Sequence, residues 1–482
     1  MPNTSYPPFT GPELCRYEAH EVVALLKKRE VSPRELLDAA FERIETVGPS
    51  INATTVTCKD RAYAAAENLD DTEKDNSGWL AGLPIGIKDL TPVAGVRTTF
   101  GTKGRAHFVP TESDPLVERL EARGGIVTGK TNTPEFGAGG NTFNDVFGPT
   151  LNPWDTTLNA GGSSGGAAAS LAAGETWLSH GSDHGGSLRT PAAFCGVVGL
   201  RPSPGRAGGA SKDAGYFIEG LQGPMARSVR DCALFLDAMA GFEPRFAISY
   251  PAPETPFQDA VERVDGKLKI AFTPDLGGIS PVDREVEEHL RGTLTLLEKN
   301  GASVEETCPE LPDLERTYHT LRGIRWATMA RRLDPEIRKH FKATLEQNTQ
   351  MGDALTVNDI ADANLNRSTI FNNMVELFRI YDVLALPTVG CMPHPQSEEW
   401  VKNVGGQDLT FYMDWLRFAF LSTVTGLPAI SVPVGLGPRG LPVGLQLVGK
   451  PRGEAGLLAA ARAVEIAVGG PLGPIDPNVT NG

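Results

Sequence analysis

The sequence predicts an α/β fold, a sheet covered by α-helices on both faces and interrupted by a helical insertion. Two observations carry this. Strand-like and helix-like patterns alternate between residues 83 and 306, and the stretch 314–377, rich in Arg and aromatics, then keeps helical spacing before strand patterns resume.

The elements follow in order. Apolar positions from Glu13 to Val47 recur at helical spacing and give two helices. Ser32-Pro33-Arg34-Glu35 reads as a capping box, in which the serine hydroxyl and the glutamate each take an orphan backbone N–H, and proline suits the first turn. Leu83 to Asp89 alternates as a strand does and delivers Lys88 to its end. Ser113-Asp114-Pro115 opens a helix that Gly124 and Gly125 end, and Ile126-Val127-Thr128 continues as a strand. Beyond the glycine-rich run Gly161 to Gly166, Ala167 to Ala173 is a helix of small residues. Lys267 to Thr273 is a strand, Val286 to Lys299 a helix, and Ala302 to Glu306 a strand. Strand character returns at Asp382 to Leu386, and Ile430 to Val434 and Val443 to Val448 flank the hairpin signal Gly437-Pro438-Arg439-Gly440. Glu454 to Val464 closes as a helix. With no internal repeat or strong linker, one large domain over 1–482 is expected, its insertion at about 311–380.

Composition narrows the function. Hydrophobic residues make up 40% and charged residues 22%, enough to build a sizeable core. The 45 Lys+Arg and 59 Asp+Glu leave a net charge of −14, which repels nucleic-acid phosphates and anionic lipid. A small molecule is therefore the expected partner, with the chain a monomer or homodimer. Six scattered cysteines show no CxxC spacing, so neither a disulfide framework nor a zinc site is expected, and no cofactor or metal is called for. The opening MPNTSYPPFT lacks the basic and apolar regions of a secretory signal, and no apolar run reaches membrane-span length; a cytoplasmic location is expected.

Three motifs bear on chemistry. Gly124-xxxx-Gly129-Lys130-Thr131 matches the letters of a phosphate-binding Walker A loop, but that loop needs a strand before it and a helix after it, and here the order is reversed. Gly161-Gly162-Ser163-Ser164-Gly165 satisfies the GxSxG elbow, whose serine needs a histidine; His289, His319, His340 and His394 are the candidates. A flexible Gly/Ser linker would have the same composition. Gly181-Ser182-Asp183-His184-Gly185-Gly186-Ser187-Leu188-Arg189 places a second serine 24 positions after Ser163, behind a glycine-rich turn that can aim backbone N–H groups at one point.

Taken together, LAGLPIGIKDL around Lys88, GGIVTGKTNTPEFG, FGPTLNPWD, AGGSSGG, GSDHGGSLRTPAAFCGVVGLRPS, GPMARSV and the closing TGLPAISVPVG with GLPVGLQLVG resemble the amidase-signature hydrolases over nearly the whole chain. The resemblance implies a large mixed central sheet, a signature region at 80–205, and cleavage of a C–N bond without a cofactor. It implies Ser187 as nucleophile, Ser163 as a bridging serine behind a cis peptide from Gly162, and Lys88 as base. It implies oxyanion donors at the backbone N–H groups of His184, Gly185, Gly186 and Ser187, with Ser164, Asp183 and Arg189 bracing the loop. His184 and Ser182 depart from the family's usual small or Thr residues; His184 either lends only its backbone N–H, the favoured reading, or also lines the acyl or leaving-group pocket with its ring, and His180 is given no role. Cys195 is read as a buried core residue.

A lysine can serve as base only as the neutral amine, which demands burial away from water. Pocket walls are expected from Glu135 to Phe147, Lys212 to Glu219 and Tyr318 to Arg332, where Phe136, Phe143, Tyr216, Phe217 and Trp326 favour apolar or aryl amides, with aryl carbamates (urethanes) or esters as an extension. The alternatives are the glutamine-hydrolysing subunit of a tRNA-dependent amidotransferase and a histidine-dependent α/β-hydrolase esterase.

Overall fold

Eleven strands hydrogen-bond into one sheet in the computed structural model, which describes residues 7–208, 215–264 and 266–479. In chain order they are β1 (Thr54–Thr57), β2 (Pro84–Lys88), β3 (Ile126–Thr131), β4 (Leu178–Asp183), β5 (Val198–Arg201), β6 (Leu221–Ala226), β7 (Lys269–Phe272), β8 (Ser303–Glu306), β9 (Val383–Pro387), β10 (Ala429–Leu436) and β11 (Pro442–Val448). Across the sheet they run β1-β3-β2-β4-β6-β5-β10-β11-β9-β7-β8. The pairs β3/β2, β2/β4, β9/β7 and β7/β8 are parallel and the rest antiparallel, so the sheet is mixed.

Local chemistry explains the element ends. The helix Pro33–Ile51 starts on the predicted capping box, with Ser32 and Glu35 exchanging both bonds, and the helix Pro115–Ala122 starts on Asp114. The central strands are covered on both faces, so β2, expected to alternate, is buried at every position, Lys88 included. Helices Leu314–Ala330, Pro335–Arg338, Ala343–Asp353 and Val357–Leu377 fill the chain between β8 and β9. No helix is long and apolar enough to cross a membrane among the described residues.

The Walker A letters dissolve into this frame. Gly124 has a φ of 75° just past the helix Pro115–Ala122, and Lys130 sits buried inside β3. Its Nζ donates to the Thr91 carbonyl at 2.6 Å and Thr98 Oγ1 at 2.9 Å, with Asp89 at 3.5 Å. A lysine so engaged is a structural tie.

Candidate active site

Strand β2 carries Lys88 to its final position, and its parallel neighbour β4 ends at Asp183 and runs into the glycine-rich turn 184–187. Between them the helix Gly165–Ala172 begins immediately after Ser163 and Ser164. Three segments distant in sequence thus converge because parallel strands end on the same side of the sheet.

The Lys88 Nζ lies 2.7 Å from Ser163 Oγ, 2.8 Å from Ser164 Oγ and 3.2 Å from Ser182 Oγ. The peptide joining Gly162 to Ser163 is cis. Lys88 has no exposed surface, Ser163 2% and Ser187 9%, so solvent access increases from the amine outward to the predicted nucleophile. Burial holds the amine well below its ordinary value of 10.5, and the Asp183 carboxylate offsets this only in part. All three oxygens around Nζ are neutral hydroxyls, an environment that suits an uncharged amine.

Ser187 is tied to this group through its carbonyl, which accepts from the Ser164 N–H at 3.2 Å. The turn before it depends on two glycines. Gly186 has a φ of 95°, a region that penalises side chains, and a Cβ at Gly185 would stand 2.3 Å from Tyr318 Oη.

Asp183 organises the turn from below. Its carboxylate accepts from the Gly186 N–H at 3.0 Å, the Leu188 N–H at 3.1 Å, Arg189 Nε at 3.0 Å and Arg189 Nη2 at 2.8 Å. Burial alone would raise its pKa, but Arg189 and then Arg201 outweigh it and hold the carboxyl far below the usual range. Arg189 also donates through Nη1 to Ser422 Oγ at 2.7 Å and Gln446 Oε1 at 2.5 Å, fastening the turn to β11.

This geometry amends one expectation. The Gly186 N–H is committed to Asp183, whereas no hydrogen bond among the described residues takes the N–H of His184, Gly185 or Ser187. Three of the four N–H groups thus keep no hydrogen-bond partner among the described residues.

The rings of three of the four candidate histidines make other contacts. His289 Nε2 bonds the Val434 carbonyl at 2.9 Å, the His394 ring stands edge-on to Trp415 at 5.3 Å, and His319 packs against Phe411 at 5.1 Å. Among the described residues none of the histidines hydrogen-bonds Ser163 or Ser187. His180 Nε2 meets Gln222 Oε1 at 2.6 Å, and burial pushes its imidazole down to about 3. Cys195 is fully buried, and burial alone raises its thiol.

The expected pocket walls come together only in part. Phe136 packs edge-on to Phe341 at 5.5 Å, and both pack against the buried cluster of Ala138, Trp326 and Leu345. Phe143 lies in a small hairpin with Lys342 Nζ 5.0 Å above its ring. Tyr216 departs from expectation: it is 83% exposed and touches no other ring among the described residues. Phe217 is half-buried, and 212–214 lie outside the described residues.

Two trios of potential ligands, Glu18/His20/Asp231 and Glu315/His319/Asp414, are drawn together that sequence spacing did not reveal. In the first, Asp231 is occupied by the Ala19 and His20 N–H groups; in the second, Arg417 lies 3.1 Å from Glu315 and 3.4 Å from Asp414. Structural bonds already use both.

The Amidase family profile matches residues 35–458. The chain belongs to the amidase-signature family. The chain is 34% identical over 456 residues to an acylamidase of Rhodococcus erythropolis, covering 93% of this chain and 94% of that one. It is 35% identical over 475 residues to a glutamyl-tRNA(Gln) amidotransferase subunit of Synechococcus sp. (strain CC9605), covering 92% and 94%. The crystal structure of a bacterial aryl acylamidase of the family superposes with a TM-score of 0.86 at 29% identity, covering 95% of this chain and 99% of the other. This amidase-signature enzyme is thus an amide hydrolase on the family's mixed α/β scaffold. Sequence reasoning left Arg201, Gln446 and Ser422 without roles although the first two lie in the quoted family segments; only the fold shows them bracing Asp183 and Arg189.

Proposed function

We propose that this amidase-signature enzyme cleaves apolar or aryl amides through an acyl-enzyme on Ser187, with Ser163 as proton relay and Lys88 as base. The observation that carries the reading is the buried Lys88 amine 2.7 Å from Ser163 Oγ, held towards its neutral form. Neutral Nζ takes the Ser163 proton as Ser163 Oγ takes that of Ser187, and Ser187 Oγ attacks the amide carbon. The N–H groups of His184, Gly185 and Ser187 receive the oxyanion, and each such donor is worth about 3 kcal/mol of barrier. Collapse expels the amine, which receives its proton back through Ser163. Water then repeats the sequence in reverse to free the acid.

The cluster of Phe136, Phe341 and Trp326 supports an aromatic or apolar substrate, with aryl carbamates and esters as extensions of the same acyl transfer. We further propose that the enzyme works without partner subunits, as a monomer or homodimer. The amidotransferase reading is the rival, since relatives of that name match over the same length.

The test is a panel of aryl amides, aryl carbamates, esters and glutamine. Turnover of aryl amides, abolished together with fluorophosphonate labelling in Ser187→Ala, supports the reading. Labelling retained at Ser163, or strict glutaminase activity with co-purifying subunits, overturns it.

A further inference from the structure

Several groups on one side of the oxyanion turn are left over by the catalytic arrangement. The His184 ring lies 5.9 Å from the Tyr318 ring, and both of its nitrogens are buried without a hydrogen-bond partner. Tyr318 Oη, which rests on Gly185, receives a long 3.5 Å contact from Arg322 Nη1. Arg322 is 4% exposed, and its bonds end on neutral atoms, Asn348 Oδ1 at 2.8 Å and Tyr412 Oη at 2.5 Å. Arg325 follows on the same helix, Leu314–Ala330, with its guanidinium against Gly220, where a Cβ would meet Cζ at 2.7 Å. Among the described residues it has no ion pair.

Two carboxylates lie nearby, and each already faces an arginine. Asp183 is shared by Arg189 and Arg201, and Glu219 accepts from Arg367 through Oε1 at 3.2 Å while its buried Oε2 takes no hydrogen bond. Glu219 still reaches Arg325 electrostatically, but that leaves Arg322 without a carboxylate. Arg201 joins the two parts of this wall, donating to the Asp183 carbonyl at 2.6 Å and the Glu219 carbonyl at 2.9 Å. A buried guanidinium with only neutral partners is incompletely compensated, and a ligand anion supplies what the protein does not. The unspent imidazole adds a hydrogen-bond donor that carries no charge of its own, since burial and the three arginines Arg322, Arg325 and Arg201 keep the ring neutral.

We propose that the amide substrate carries a carboxylate that docks between the His184 ring and the wall formed by Arg322 and Arg325, on the side of the oxyanion turn faced by the helix Leu314–Ala330. The proposal rests on the hydrolase reading above and narrows its substrate class to amides with an anionic arm. The aromatic cluster around Trp326 holds the apolar part and the arginine wall the charged one.

The experiment uses two matched probe pairs on the purified enzyme. One compares the para-nitroanilides of succinic and butanoic acid, with the carboxylate on the acyl side; the other compares butanamides of para-aminobenzoate and aniline, with it on the amine side. The expected result is that in one pair the anionic member has a kcat/KM about tenfold or more above its neutral partner, mainly through KM. Arg325→Gln should collapse that ratio and Arg325→Lys retain most of it, while His184→Thr lowers it. Neutral probes equal to or better than the anionic ones in both pairs overturn the proposal while leaving amide hydrolysis intact. Binding keeps the test independent of turnover: titration calorimetry on Ser187→Ala should show the anionic probe binding about tenfold more tightly than the neutral one, and Arg325→Gln in that background should remove the difference. Equal binding of both members overturns the subsite even if no probe is hydrolysed.

Discussion

Arg189→Met removes the cation that Asp183 depends on, and its cost can be worked from the contacts. The variant loses two charge-assisted bonds to Asp183, at 3.0 and 2.8 Å, and the bonds to Ser422 and Gln446. Arg201, at 3.4 Å, remains as the only guanidinium on a carboxylate with no exposed side-chain surface. Breaking a buried pair from one side costs about 3–5 kcal/mol. Unfolding entropy of about 2.1 cal/mol/K per residue gives this 482-residue chain roughly 1 kcal/mol per kelvin, so melting should fall by about 3–5 °C. Linkage adds a pH signature. The folded Asp183 carboxyl lies below its unfolded value, so its stabilisation is present above about pH 4 and is lost as pH falls towards the folded pKa. Arg189→Met weakens that depression, so the gap between variant and wild type should narrow in acid. Because the same carboxylate holds the Gly186 N–H and Leu188 N–H, turnover should fall about 10–100-fold as the oxyanion turn loosens. Melting followed by circular dichroism at pH 7 and at about pH 2.5, with kcat on an aryl amide, checks both effects. A midpoint within 1 °C of wild type at pH 7, on the roughly 1 kcal/mol per kelvin scale, would refute the assignment of Asp183 and Arg189 as the brace.

Ser182→Ala removes the longest of the three hydroxyl contacts on Lys88, 3.2 Å, and should lower kcat by about fivefold, the equivalent of roughly 1 kcal/mol; an unchanged kcat means Ser182 does not position the amine. Replacing His289, His319, His340 and His394 one at a time should leave aryl-amide turnover within about tenfold of wild type in every case, because catalysis by a general base is worth about 10²–10⁴ and none of these rings holds that post; a single collapse identifies a histidine base. Dialysis against EDTA should leave turnover unchanged, since both ligand trios are engaged in structural bonds, and activity lost to chelation and restored by a divalent ion would contradict this.

Local signals were the legible ones. The capping residues Ser32, Asp114 and Glu35 announce helix starts because they act within one turn, and Lys88 is placed at a strand end by the pattern of Leu83 to Asp89, a run that forms a strand although β2 is buried at every position. The family segments named Lys88, Ser163 and Ser187 as candidates, and the fold brings Lys88 and Ser163 into contact. Less could be read where partners are distant. Gln446 meets Arg189 across 257 residues and Arg322 meets Tyr412 across 90, and nothing in either segment names the other. The direction of the Gly186 N–H depends on where Asp183 finally sits, which no motif shows. Aromatic content likewise did not say which rings would meet: Phe341, never singled out, joins Phe136, while Tyr216 stays in solvent.

The pH dependence of Ser187 acylation, followed in a single turnover on an aryl amide, addresses the proton chain itself. If a desolvated Lys88 supplies the base, the rate climbs with pH through one ionisation well below 10.5 and then levels, and Lys88→Ala removes that limb together with most of the rate. An ionisation at the ordinary lysine value, or a limb that survives in Lys88→Ala, would contradict the account.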